Sequence, residues 1–148
     1  MPPEGVIMLG GVAVPSARSL LAHSDGDVLL HALCDALLGG AALGDIGHHF
    51  PDTDPAFEGA DSRQLLKATV EAVRQAGFVP HNVDLTLVAQ RPRVAAYVPA
   101  MRARIATLLA LDLGAVNVKA TTTEGLGAMG REEGIAAYAV ALLENAHA

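Results

Sequence analysis

The sequence is short of what a disulfide-stapled secreted domain, a nucleic-acid binder or a membrane protein needs. It has no tryptophan, two tyrosines and three phenylalanines, so its core must be aliphatic. Cys34 is the only cysteine, which excludes an intramolecular disulfide and fits a reducing compartment. The role expected of it is that of a small buried apolar residue. Ten basic residues against sixteen acidic ones give a net charge of -6, with no basic run anywhere. A nucleic-acid backbone requires a positive footprint, so such partners are disfavoured. The apolar stretches stop well short of the roughly 20 residues a membrane span requires, and Met-Pro-Pro-Glu-Gly is no signal peptide. A cytoplasmic location is expected, or a plastid-like organelle after removal of a transit segment. What remains is 148 residues, a length that fits one domain, 1–148, with a sizeable core.

Chemistry is concentrated in residues 22–35, where His23, Ser24, Asp25, Asp27, His31 and Asp35 lead into an apolar helix. Asp27, His31 and Asp35 are spaced four apart and share a helix face, while Leu30, Leu33, Leu37 and Leu38 fall largely on other sides. An amphipathic helix with an incidental histidine would show the same stripe. Ser24 or Asp25 is the expected N-cap of a helix over about 25–42, which would put His23 and Ser24 beside an anion-favouring helix terminus.

Val6-Ile7-Met8-Leu9 and Val12-Ala13-Val14, joined by Gly10-Gly11, predict a short hairpin, because both glycines tolerate positive φ. Residues 44–55 hold two glycines, two prolines and three aspartates, a loop that suits a cation or a polyol, or else a solvated turn with Asx caps. His48 and His49 diverge as neighbours and are expected in solvent. Asp61 or Ser62 should cap a helix ending near Ala76, with Gly77 as its stop.

A strand is expected over residues 83–89 and a helix over about 98–111, the latter with Met101, Ile105, Leu108 and Leu109 on one face. Arg91-Pro92-Arg93 suits a phosphate or nucleobase loop, or plain surface charge. A strand over residues 116–121 runs into Thr121-Thr122-Thr123-Glu124-Gly125-Leu126-Gly127-Ala128-Met129-Gly130-Arg131. Hydroxyls, a carboxylate, glycines and an arginine there are what a phosphate-and-metal site uses. Residues 134–143 read as a buried strand. The fold class expected is α+β, in the manner of an α/β sandwich: a small mixed sheet covered on one face by about three helices, plus the N-terminal hairpin.

Taken together, Ala22-His23-Ser24-Asp25-Gly26-Asp27, His31-Ala32-Leu33-x-Asp35-Ala36-Leu37, Leu43-Gly44-Asp45-Ile46-Gly47, Phe50-Pro51-Asp52-Thr53-Asp54-Pro55 and Asn117-Val118-Lys119-Ala120-Thr121-Thr122-Thr123-Glu124 resemble the 2-C-methyl-D-erythritol 2,4-cyclodiphosphate synthases of non-mevalonate isoprenoid biosynthesis. The resemblance spans essentially the whole chain. It implies a homotrimer with active sites at subunit boundaries. It also implies intramolecular phosphoryl transfer, in which the 2-phosphate of 4-diphosphocytidyl-2-C-methyl-D-erythritol 2-phosphate displaces CMP and closes a cyclic diphosphate.

By position, the resemblance implies that His31 is a zinc ligand and that Asp35 orients its ring. It implies that His23 and Thr122 steady the transition state. Ser24, Asp45, Ile46 and Gly47 would hold the erythritol portion, and Phe50, Pro51, Asp52, Thr53 and Asp54 would close on it. Glu124 would bind magnesium or manganese. Ala89, Gln90, Arg91, Pro92, Arg93, Val94 and Ala95, with Thr121 and Thr123, would form the cytidine and phosphate pocket. Arg131, with Ala128 nearby, would lie near the trimer axis, where an isoprenoid diphosphate can sit. The family pattern opens on a Gly-x-Asp-x-His segment that supplies the other two zinc ligands. The sequence starts after it, so those ligands are expected upstream of Met1. Two other readings compete: a catalytically silent trimer that binds CDP-type nucleotides or isoprenoid diphosphates, and a metal-dependent phosphohydrolase.

Overall fold

A computed structural model of the chain describes residues 5–15, 26–50, 61–89, 94–122 and 135–146. Strands β1 (Val6–Leu9) and β2 (Val12–Pro15) pair antiparallel around Gly10 and Gly11, whose φ angles of 59° and 76° are those a two-residue hairpin turn demands. A Cβ on Gly10 would come within 2.9 Å of Met101, so the turn is pressed against the protein interior.

Helix α1 spans Val28–Gly40, and its N-cap is Asp27 rather than Ser24 or Asp25. Asp27 is fully buried. Its carboxylate accepts from the amides of Gly10 at 2.9 Å, Gly11 at 2.8 Å and Leu30 at 3.0 Å. A buried carboxylate requires such partners, and the hairpin turn supplies two of them. Asp27 therefore leaves the expected acid-imidazole-acid stripe and becomes the clamp between hairpin and helix.

Helix α2 is a single turn, Ile46–His49, inside the stretch expected to be a loop. Asp45 caps it by accepting from the amide of His48 at 2.8 Å, as an Asx cap does. His48 is exposed, whereas the ring of His49 donates from Nε2 to the carbonyl of Leu43 at 2.6 Å. Helix α3 (Ser62–Gln75) is capped by Asp61 and stops before Gly77, at φ 97°. Arg63 donates to Asp61 and holds its carboxyl below the usual range.

Strand β3 (Phe78–Val88) starts earlier than its alternating residues indicate. Pro80 lacks a ladder donor, but it precedes the Val83–Val88 stretch that pairs with the neighbouring parallel strand, and a register shift follows it. A turn at Ala95–Tyr97 leads into α4 (Val98–Leu109), which stops short of Leu111 at Ala110 in the left-handed region. Strands β4 (Val116–Thr121) and β5 (Ala136–Asn145) flank β3, parallel and antiparallel respectively, in the order β4-β3-β5.

The helices lie on one face of this mixed sheet. Leu30, Leu33 and Leu37 of α1, Leu66 and Val73 of α3, and Met101 and Ile105 of α4 pack with Leu85 and Leu87 of β3 in one aliphatic core. Each such fully buried side chain is worth roughly 1.5–3 kcal/mol. Strand β5 is partly buried on one side and exposed on the other. Its alanines pack on the core, while Tyr138, Val140 and Leu142 are 64%, 70% and 56% exposed. The expectation of a buried strand is corrected there, because no helix covers the second sheet face among the described residues. No helix among them is long and apolar enough to cross a membrane.

Candidate active site

The outward flank of α1 and the start of β5 enclose a groove of about 640 Å³, lined by Val28, His31 and Asp35 on one side and by residues 135–139 on the other. Register fixes where this groove lies. Val88, at the end of β3, pairs with Thr121 of β4 on one side and with Ala136 of β5 on the other. The C-terminal ends of the parallel pair and the first residues of β5 thus share one end of the sheet, the end at which open α/β sheets bind ligands.

At that end the amide of Ala89 donates to the carbonyl of Thr121 at 3.1 Å, tying the two strand exits together. The hydroxyl of Thr121 donates to the carbonyl of Thr122 at 3.3 Å, and both threonines are exposed. Val94 is buried and Ala95 exposed at the approach to α4.

On the helix side, His31 is half-buried, and its Nε2 lies 3.0 Å from Oγ of Ser62, the first residue of α3. Oδ1 of Asp35 accepts from the amide of Ile46 at 2.8 Å, so this carboxylate ties α1 to α2. Asp45, Ile46, Gly47 and Phe50 are thereby held next to α1, and the amide of Phe50 closes α2 on the carbonyl of Ile46 at 2.7 Å. Of the expected site residues, His23, Ser24, Pro51, Asp52, Thr53, Asp54, Gln90, Arg91, Pro92, Arg93, Thr123, Glu124, Ala128 and Arg131 lie outside the described residues.

The fit to a metal is partial. An imidazole whose second nitrogen is held by an outer partner is the usual form of a histidine ligand, and His31 has that form. Catalytic zinc takes three protein ligands, and no group of three His, Cys, Asp or Glu side chains suited to a metal occurs among the described residues. His31 is one donor of a set rather than a complete site.

Two site features were not evident from sequence. Ser62 was expected only as an alternative cap, and it is separated from His31 by 31 positions, so no local pattern links them. The clamp of Asp27 had a readable hint: a two-glycine turn leaves amides in need of an acceptor.

Residues 2–144 match the family model described as the YgbB family. The chain belongs to this family. Among YgbB relatives, the 2-C-methyl-D-erythritol 2,4-cyclodiphosphate synthase of Thioalkalivibrio sulfidiphilus is 62% identical over 141 residues, 95% of this chain and 88% of that protein. A solved 2C-methyl-D-erythritol-2,4-cyclodiphosphate synthase in a CDP-bound form is 37% identical, with a TM-score of 0.86, covering 94% of this chain and 90% of the other. The bifunctional IspDF of Campylobacter jejuni is 46% identical with a TM-score of 0.90; the match covers 97% of this chain but 39% of that larger one. The α+β architecture is thus the one the solved family members share.

Proposed function

We propose that the chain converts 4-diphosphocytidyl-2-C-methyl-D-erythritol 2-phosphate to 2-C-methyl-D-erythritol 2,4-cyclodiphosphate with release of CMP. The observation that carries this reading is the 62% identity, along 95% of the chain, to a relative of that name. The 2-phosphate oxygen attacks the sugar-side phosphorus of the diphosphate, the new P–O–P bond closes the ring, and the bond to CMP breaks. Both reacting groups belong to one molecule, so the protein's work is to fold the substrate, bring two anions together and oppose their charge.

In this reading His31 would hold zinc together with an aspartate and a histidine of a Gly-x-Asp-x-His segment, and Glu124 would hold magnesium or manganese. A divalent cation held there would supply charge to offset that gathering on the phosphate oxygens. Asp35 keeps α2 in place and with it Asp45, Ile46 and Gly47, which face the erythritol, beside His23, Ser24 and residues 50–54. Thr122 and His23 donate to the phosphoryl group in flight. Residues 89–95 and 121–123 hold the cytidine and phosphates across a subunit boundary of a homotrimer. The uncovered sheet face with Tyr138, Val140 and Leu142 supports that assembly, since an apolar patch of this kind marks an interface. In the same reading Arg131 and Ala128 would take part in holding an isoprenoid diphosphate near the trimer axis.

Incubation with substrate, zinc and magnesium, followed by phosphorus NMR, tests the proposal. Equimolar CMP and cyclic diphosphate are expected. Inorganic phosphate as the product would instead make the chain a phosphohydrolase. Nucleotide binding with no turnover, even when the Gly-x-Asp-x-His segment is supplied, would make it a silent binder of CDP-type nucleotides.

A further inference from the structure

Ser62 is fully buried and opens α3 without capping it, because Asp61 accepts from the amide of Arg63 at 2.8 Å in that role. A buried hydroxyl costs free energy unless it is hydrogen-bonded, and this one lies 3.0 Å from Nε2 of His31. The histidine backbone is in turn fixed in α1, its amide donating to the carbonyl of Asp27 at 3.0 Å. Asp35, the residue expected to orient the ring, has its Oδ1 on the amide of Ile46.

We infer that Ser62 is the positioning residue of His31: its hydroxyl oxygen accepts the Nε2–H, fixing the ring plane and the tautomer in which Nδ1 carries the lone pair. The contact allows either direction, since a serine can donate or accept and a neutral imidazole has one nitrogen of each kind. What decides it is the groove that His31 lines. A histidine that offers one nitrogen to a cation gives its other N–H to an outer partner, and that partner sets the tautomer. The role of Nδ1 as a cation donor, and with it the direction of the Ser62 bond and the tautomer, rests on the function proposed above; the ring orientation rests on the Ser62 contact alone.

Nitrogen-15 spectra of the His31 ring test this in the full chain without metal or substrate, at a pH well above the ordinary imidazole range. A single Nε2–H tautomer is expected in the wild type and in Ser62→Thr, which keeps the hydroxyl. In Ser62→Ala the ring should populate both tautomers. In a chain that carries the Gly-x-Asp-x-His segment, zinc affinity, read by chelator competition, should fall about 10- to 100-fold in Ser62→Ala and be retained in Ser62→Thr.

An Nδ1–H tautomer in the wild type would overturn the inference by itself, even if neither variant folds. Unchanged ring shifts in Ser62→Ala would also overturn it. Absence of zinc binding in a wild type that carries the Gly-x-Asp-x-His segment and shows the Nε2–H form would remove the cation role of His31 and leave the positioning role standing.

Discussion

Asp27 accepts a hydrogen bond from the backbone amide of Gly11 at 2.8 Å, across 16 positions of sequence. With the amides of Gly10 and Leu30 on the same carboxylate, this contact locks the hairpin onto α1. It also anchors the chain at both ends of the segment that carries His23 and Ser24.

Asp27→Ala should therefore be strongly destabilising. It leaves three buried amides without an acceptor, at about 1–3 kcal/mol for each such group, and the total loss should reach at least about 3 kcal/mol. Asp27→Asn should cost less, since it keeps one acceptor oxygen. Urea unfolding monitored by circular dichroism would measure both, and a loss below about 1 kcal/mol for the alanine variant would show that the clamp is dispensable.

The pH response should carry the mark of Cys34. Burial pushes its thiol from 9.0 up to about 12, so the folded state holds the proton that the unfolded state releases. A raised pKa contributes stability that is fully present below the unfolded value and is lost as pH rises toward the folded one. Stability should therefore fall between pH 9 and pH 12, by up to about 1.4 kcal/mol for each unit. Cys34→Ala should flatten that slope, and the wild-type thiol should react with a disulfide reagent only in denaturant.

Ala110 ends α4 at φ 56°, and the amide of Leu111 reaches back to the carbonyl of Ala106 at 2.9 Å. This is the helix-ending motif that normally takes glycine. Ala110→Gly should relieve about 1 kcal/mol of left-handed strain, partly offset by the freedom glycine gains on unfolding. A small rise in melting temperature is expected, whereas Ala110→Val should lower it.

Thr122 lies just past the end of β4, at the end of the sheet that gathers Ala89 and the start of β5. If its hydroxyl supports the transition state, Thr122→Ala should lower kcat on the order of 10²-fold while CMP binding changes far less. The same split is expected for His23→Ala. Equal losses in turnover and in binding, measured by steady-state kinetics beside calorimetry, would reduce both residues to ligand positioning.

Much of the fold was legible from local chemistry. Gly10-Gly11 named the hairpin, Asp61 and Gly77 bracketed α3, and the apolar alternation in residues 116–121 named β4. Errors arose where local cues compete with packing. The alternation that marks β3 begins only at Val83, yet the strand starts before Pro80, which it accommodates because β4 does not pair there. Asp45 and its neighbours read as loop, and Asp35 of α1 accepts the Ile46 amide to support a single helical turn.

By itself the sequence determined the class of the fold and the order of its longer elements, which depend on periodicity and turn residues acting over a few positions, and the resemblance of its motifs pointed to the family. Only the tertiary structure decided that Asp27 serves the hairpin rather than the histidine stripe, that Ser62 meets His31, and that β5 is partly buried on one face. Each is a pairing between residues far apart in sequence, and the partner of a buried polar group is set by which elements pack against it.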